Sequence, residues 1–113
     1  MESRENTEFQ WFSNFFRHSI AVMLLIDPET HNIIDANPAA EKFYGWCHSL
    51  LTQMKISHIN TLSHEEIEAE IKKARSQQRS YFSFKHRKAD GSICPVEVFS
   101  SKITFDGKEY LHS

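Results

Sequence analysis

Glycine and proline are scarce in this sequence, three of each in 113 residues, and cysteine is nearly absent, with two. No Gly-rich loop capable of cradling a phosphate is present, and no nucleophile–base pair or pair of inward carboxylates can be placed, so an enzyme is not expected. Cys47 and Cys94 lie far apart and outside any CxxC spacing. They read as reduced thiols of a cytosolic chain, with a bridge between them as the alternative. The longest apolar run, IAVMLLI, falls far below the roughly 18 residues needed to cross a bilayer. The opening MESRENTE has neither the basic nor the apolar region of a secretion signal. A formal charge of −2 exerts no overall pull toward nucleic acid or an anionic membrane. The expectation is a cytoplasmic, soluble single domain without membrane contact, large enough to bury one core unaided by disulfide or metal.

What the sequence does hold is apolar and aromatic material, 40% of it apolar with nine phenylalanines. Residues 1–8 are expected to be a disordered leader. Residues 9–18 read as an amphipathic helix with two aromatic stripes: Phe9, Phe12 and Phe16 on one, Trp11 and Phe15 on the other. The first stripe suits the chain's own sheet. The second is either buried by the same domain or left as an adhesive patch for a partner chain, and the five aromatics together form the candidate dimerisation surface.

The domain proper is expected over residues 19–113. Ile20–Asp27 reads as a strand covered on both faces, Asp27-Pro28-Glu29-Thr30 as a turn, and HNIIDA as a second strand closing an antiparallel hairpin. The run IIDANPAAEKFYGW then changes structure twice within a few residues. Asn37 is a strong helix cap, Pro38 fills the first helical position where no N–H is needed, and Gly45 provides the stop. A helix of about two turns is not stable alone and must be held by packing.

One or two short helical turns are expected between Ser49 and Leu62. Ser63 and Glu66 then form a capping box that opens a helix running to about Gln77, with Ile67, Ile71 and Ala74 on its buried stripe and His64 on the same side. YFSFKHR alternates, placing Phe82, Phe84 and His86 on one face. Ala89-Asp90-Gly91 is a hairpin turn, ICPVEVFSSKITF a long strand, Asp106-Gly107 another turn, and KEYLHS the start of a further strand. Helix, two strands, short helices, a longer helix and three strands describe an α+β fold, with an antiparallel sheet and its helices on one side.

This order, with IIDANPAAEKFYGW and RKADGSICPVEV, resembles the PAS domain family of sensory modules over roughly Phe16 to Leu111. The resemblance implies a five-stranded antiparallel sheet with short helices across one face and the N-terminal helix outside. It implies a non-catalytic bacterial signalling module that regulates a C-terminal output domain of the same chain, a diguanylate cyclase ahead of a histidine kinase. It further implies a homodimer formed through the N-terminal helix. On the family pattern the final strand is expected to be cut short at Ser113.

In such a fold the sheet and helices enclose either a ligand pocket or a packed core. The candidate lining is Val22, Leu24, Ile34, Phe43, Met54, Ile59, Ile67, Ile71, Phe82, Phe84 and Val98. Asn37 is a cap on local chemistry and a ligand contact as the alternative. His64 is the candidate axial ligand should the module be a haem-binding gas or redox sensor; otherwise it is a histidine at the solvent edge of a helix start. The Asn-Cys-Arg-Phe-Leu-Gln-like run of the family's flavin photosensors is absent from LLTQMKISHI, so no flavin adduct is expected through Cys47. The histidines show no metal-ligand spacing, and the cofactor, if there is one, is left unnamed. RSYFSFKHRK mixes aromatics with bases, but period two explains it as aromatics inward and bases outward, not as a nucleic-acid surface.

Overall fold

Asp27 shapes the first hairpin. Its carboxylate accepts the N–H groups of Glu29 at 2.9 Å and Thr30 at 3.3 Å, folding the chain back on itself. Strand β1, Leu24–Ile26, thereby runs antiparallel to β2, Ile33–Ala36. The structure is a computed structural model that describes residues 4–113, with side-chain surroundings from residue 7 onward. Helix α1 spans Arg4–His18, so the expected leader is in part helix, and residues 1–3 lie outside the described residues. No glycine or proline interrupts residues 4–18. Once packing holds the later turns, the helix extends backward at little cost.

After β2 the chain forms α2, Pro38–Tyr44, and α3, His48–Leu51, followed by a 3-10 turn at Ile56–His58 and α4, His64–Arg75. Their boundaries follow local chemistry. Asn37 caps α2, Gly45 ends it at φ 91°, and the Ser63–Glu66 capping box opens α4. A Cβ on Gly45 would also stand 3.1 Å from Cβ of Ala89, so glycine answers both the backbone angle and the close approach.

The remaining strands are β3, Tyr81–Arg87, β4, Ile93–Phe99, β5, Ser101–Phe105, and β6, Lys108–His112. Sheet order is β2-β1-β6-β5, with β3-β4 as a second ladder. The long strand expected over residues 93–105 is interrupted at Ser100, whose N–H donates to the carbonyl of Ser80 at 2.8 Å. Its first part pairs with β3 and its second with β6. Counted as one bent strand, it links the two ladders and yields the expected five antiparallel strands.

Two strand expectations require correction. The first strand was expected from Ile20, yet it begins at Leu24, and Ile20 is exposed. Upstream of Leu24 the backbone has no partner strand among the described residues: Ala21 and Met23 bond instead to the side chain of Asn37. Ile34 was expected to face inward and is 41% exposed. Ile26 pairs with Ile33 and Leu25 with Asp35, so Ile34 is an extra, bulged residue. Ile34 and Asp35 therefore both line the crevice beneath α1, while Ile33 and Ala36 are buried.

Helix α1 covers the outer face of the sheet. Phe9 meets Phe105 edge-on at 5.5 Å, and Phe12 packs against Phe105 and His112. Leu24 and Ile26 face the opposite layer, where α2 to α4 close over the core.

Candidate functional site

Between the inner face of the sheet and α2 to α4 lies a cavity of about 590 Å³, within the range typical of small-molecule sites. Val22 and Leu24 from the first strand and its lead-in, Phe43 from α2, Ile67 and Ile71 from α4, and Phe82, Phe84 and Val98 from β3 and β4 all line it. Period two in β3 and β4 aims the latter three side chains inward.

Three other residues of the expected lining lie elsewhere. Ile34 is on the α1 side for the reason given above. Ile59 is fully buried and Met54 partly buried within the core, so both pack behind the wall instead of forming it. Ile56 and Asn60, from the irregular segment between α3 and α4, line the cavity in their vicinity. The mixed apolar spacing of that segment carries no signal that separates Ile56 from Ile59.

Asn37 does not line the cavity. Its Oδ1 accepts the N–H groups of Ala40 and Met23, each at 3.0 Å, and its Nδ2 donates to the carbonyl of Ala21 at 2.8 Å. It is both the cap of α2 and the tie that holds the segment Ala21–Met23 against that helix. Because those three residues line the cavity, Asn37 positions the cavity wall without touching its contents.

His64 is also outside the cavity. It is exposed in the first turn of α4, with its ring 5.1 Å from that of His31. His64 lies at the start of α4, beside the Asp27–His31 turn, while Ile67 and Ile71 further along the helix line the cavity. This position does not serve an axial haem ligand. Burial, and then the charge of His64, lower the pKa of His31.

Another histidine stands at the cavity instead. His86, on the inward face of β3, is 3% exposed and lines the cavity. Its Nδ1 lies 2.8 Å from the hydroxyl of Tyr44, the last residue of α2. Burial pushes its pKa down to about 4 and pushes the Tyr44 phenol up. At neutral pH the pair is therefore uncharged. Among the described residues, Nε2 of His86, Oε2 of Glu70 and Nε2 of His112 are buried atoms of cavity-lining residues with no hydrogen-bond partner, and the His112 ring packs against Phe12 and Phe16 of α1. Alternation in YFSFKHR already places His86 beside Phe82 and Phe84; what the sequence lacks is any mark that its Nδ1 would meet Tyr44.

The aromatic residues of α1 separate into two groups. Phe12 and Phe16 face the protein's own sheet, and Phe16 is only 2% exposed, which corrects their inclusion in a partner-facing surface. Phe9 stays half exposed while touching Phe105. Trp11 and Phe15 stack on each other, 5.6 Å apart and within 2° of parallel, on the outward side of the helix. They are 68% and 45% exposed.

Both cysteines are free. Among the described residues no group of three or more His, Cys, Asp or Glu side chains could hold a metal ion, and no helix is long and apolar enough to cross a membrane.

Comparison with known proteins places this geometry in a family. A family model described as a PAS domain matches residues 20–113. The diguanylate cyclase DgcM of Escherichia coli (strain K12) is 34% identical over 104 residues, which cover 89% of this chain and 25% of that protein. This chain thus spans about a quarter of the length of the curated relatives it matches. The PAS domain of a Desulfitobacterium hafniense protein superposes with a TM-score of 0.80 at 21% identity, covering 88% of this chain and 93% of that one. A domain of a sensory box sensor histidine kinase/response regulator from Geobacter sulfurreducens superposes with a TM-score of 0.76 at 16% identity, covering 95% and 92%.

Proposed function

The chain belongs to the PAS domain family, and from that premise we propose that it is a sensory module whose cavity occupancy governs an output domain of the same protein. The observation that carries this reading is the apolar cavity between the sheet and α2 to α4. A ligand acts by binding one arrangement of the sheet and helices better than another, shifting their populations. A diguanylate cyclase is the favoured output, supported by the 34% identity to DgcM, with a histidine kinase second. The outward Trp11–Phe15 pair supports association of two copies through α1. The exposed placement of His64 takes away support for a haem sensor.

The reading is tested by fusing the chain to a diguanylate cyclase domain and filling the cavity with Ile71→Trp. Cyclic di-GMP synthesis by the filled variant should differ from that of the parent fusion and stop responding to added cavity ligands. Identical synthesis in the two fusions, with and without ligand, overturns it.

A further inference from the structure

Resting on the sensory reading of the cavity, we infer that its ligand is an uncharged, mainly apolar molecule with a hydrogen-bond acceptor placed at the side-chain amide of Asn60. Asn60 follows the 3-10 turn Ile56–His58 and lines the cavity. Its backbone is held on two sides: the N–H donates to the carbonyl of Ile56 at 2.7 Å, and a single β-bridge joins the residue to His86. The side chain is held as well, because Oδ1 accepts the N–H of Leu62 at 3.0 Å. A backbone N–H only donates, so the amide oxygen stands at Leu62 and Nδ2 is the free end. Nδ2 has no hydrogen-bond partner among the described residues, yet it is not sealed in as Nε2 of His86, Oε2 of Glu70 and Nε2 of His112 are. Asn60 is only 4% exposed and borders the cavity, so the space left to its NH2 group is the cavity. Both protons of that group are donors, and a donor taken from water without an acceptor is costly.

The other polar side chains of the wall are partnered, turned away or sealed. Tyr44 and His86 bond each other, and so do the hydroxyls of Ser100 and Ser113 at 2.8 Å. Glu97 points outward from β4 and accepts the hydroxyl of Tyr81 at 3.1 Å. Nε2 of His86, Oε2 of Glu70 and Nε2 of His112 are covered too completely to touch the cavity's contents, and the His112 ring packs on α1. Charge is selected against. Among the described residues no lysine or arginine lines the cavity, whereas two glutamates do. Burial also keeps His86 uncharged at neutral pH. An anion would therefore enter an apolar space that offers no countercharge, at heavy cost. Oε1 of Glu70 already has Nζ of Lys73 at 3.5 Å, so that carboxylate does not call for a cation. The body of the wall is Phe43, Ile67, Ile71, Phe82, Phe84 and Val98, which suits an apolar body in the ligand.

Three probes of one shape separate these terms: 2-acetylnaphthalene, 2-ethylnaphthalene and 2-naphthoate, each titrated at pH 8 into the nitrogen-15-labelled chain while backbone and side-chain amide shifts are followed. The ketone should bind about tenfold more tightly than the hydrocarbon, as one net hydrogen bond provides, and the carboxylate most weakly. The side-chain NH2 signals of Asn60 should move with the ketone and much less with the hydrocarbon, a readout taken on the unsubstituted protein. Asn60→Asp keeps an acceptor for Leu62 and loses the donor, so in that variant the advantage of the ketone should vanish while the hydrocarbon still binds. Equal affinity for ketone and hydrocarbon, or Asn60 NH2 signals that the ketone leaves in place, overturns the acceptor assignment. Tightest binding by naphthoate overturns the selection against charge. Each of these results leaves the sensory cavity standing. Absence of binding by all three overturns the cavity as a ligand site, and the sensory reading with it.

Discussion

The hydroxyl of Tyr44 and Nδ1 of His86 meet at 2.8 Å across 42 positions of sequence, joining the end of α2 to the end of β3. The bond is buried, and each partner is the other's only hydrogen-bonding side chain among the described residues. Removing either one leaves a buried polar group facing apolar surroundings. Tyr44→Phe and His86→Leu should each destabilise the protein by about 1–3 kcal/mol. The double variant should cost clearly less than the sum, because neither orphan then remains. Urea unfolding of the four proteins measures the coupling.

Acid should loosen the fold through the same histidine. The His86 pKa lies near 4 in the folded protein, against about 6.5 for an exposed imidazole. Between those pH values the unfolded chain takes up a proton that the folded chain refuses. The contribution is therefore complete above pH ~6.5 and declines as pH falls toward 4, by about 3 kcal/mol in total. Burial lowers the pKa values of His31 and His112 as well, and both act in the same direction. Denaturation midpoints followed from pH 7.5 down to 4.5 should fall steeply in the native protein and less steeply in the Tyr44→Phe/His86→Leu variant.

Asn37 should matter to the cavity without touching it. Asn37→Ala removes the acceptor for Ala40 and Met23 and the donor to Ala21, and should cost about 2–4 kcal/mol. Asn37→Ser retains a cap for α2 but is too short to hold Ala21–Met23, so its stability should be intermediate. Binding of an apolar probe such as naphthalene, followed by amide shifts, should weaken in both variants, since the loosened segment forms part of the cavity wall. Unchanged affinity in Asn37→Ser would show that the tie is structural alone.

The two stripes of α1 should respond differently to substitution. Phe16→Ala empties a buried site and should cost about 3–5 kcal/mol. Trp11→Ala with Phe15→Ala removes exposed rings and should leave stability within about 1 kcal/mol of native. If α1 joins two copies of the chain, that double substitution should shift sedimentation toward the monomer. A sedimentation profile that does not change separates Trp11 and Phe15 from any association.

Gly45 offers a check on backbone geometry. Its φ of 91° and the approach of Ala89 Cβ make Gly45→Ala costly on two counts. About 1–2 kcal/mol of destabilisation is expected, read from the thermal midpoint.

Punctuation of the chain was legible residue by residue. Asn37-Pro38 and Gly45 bound α2, Ser63 and Glu66 open α4, and alternation in YFSFKHR orients Phe82, Phe84 and His86 together. These signals act over a few residues, between a side chain and its own nearby backbone, so they survive in a linear reading. The inward orientation of Val98 was legible for the same reason, because β4 keeps strict alternation.

The remainder depended on closure of the sheet. A bulge between Leu25 and Ile26 sends Ile34 to the α1 side, and the hairpin turn chemistry that predicts two strands does not specify it. Ser100 breaks a strand because its two halves find different partners, and the start of α4 meets the Asp27–His31 turn and so leaves His64 outside the cavity. From its own residues the chain determined the caps and stops of α2 and α4 and the order of helices and strands, which is that of a PAS domain. Tertiary structure alone decided that Nδ1 of His86 meets Tyr44, because a hydrogen bond between residues so distant in sequence exists only once sheet and helices have closed on each other.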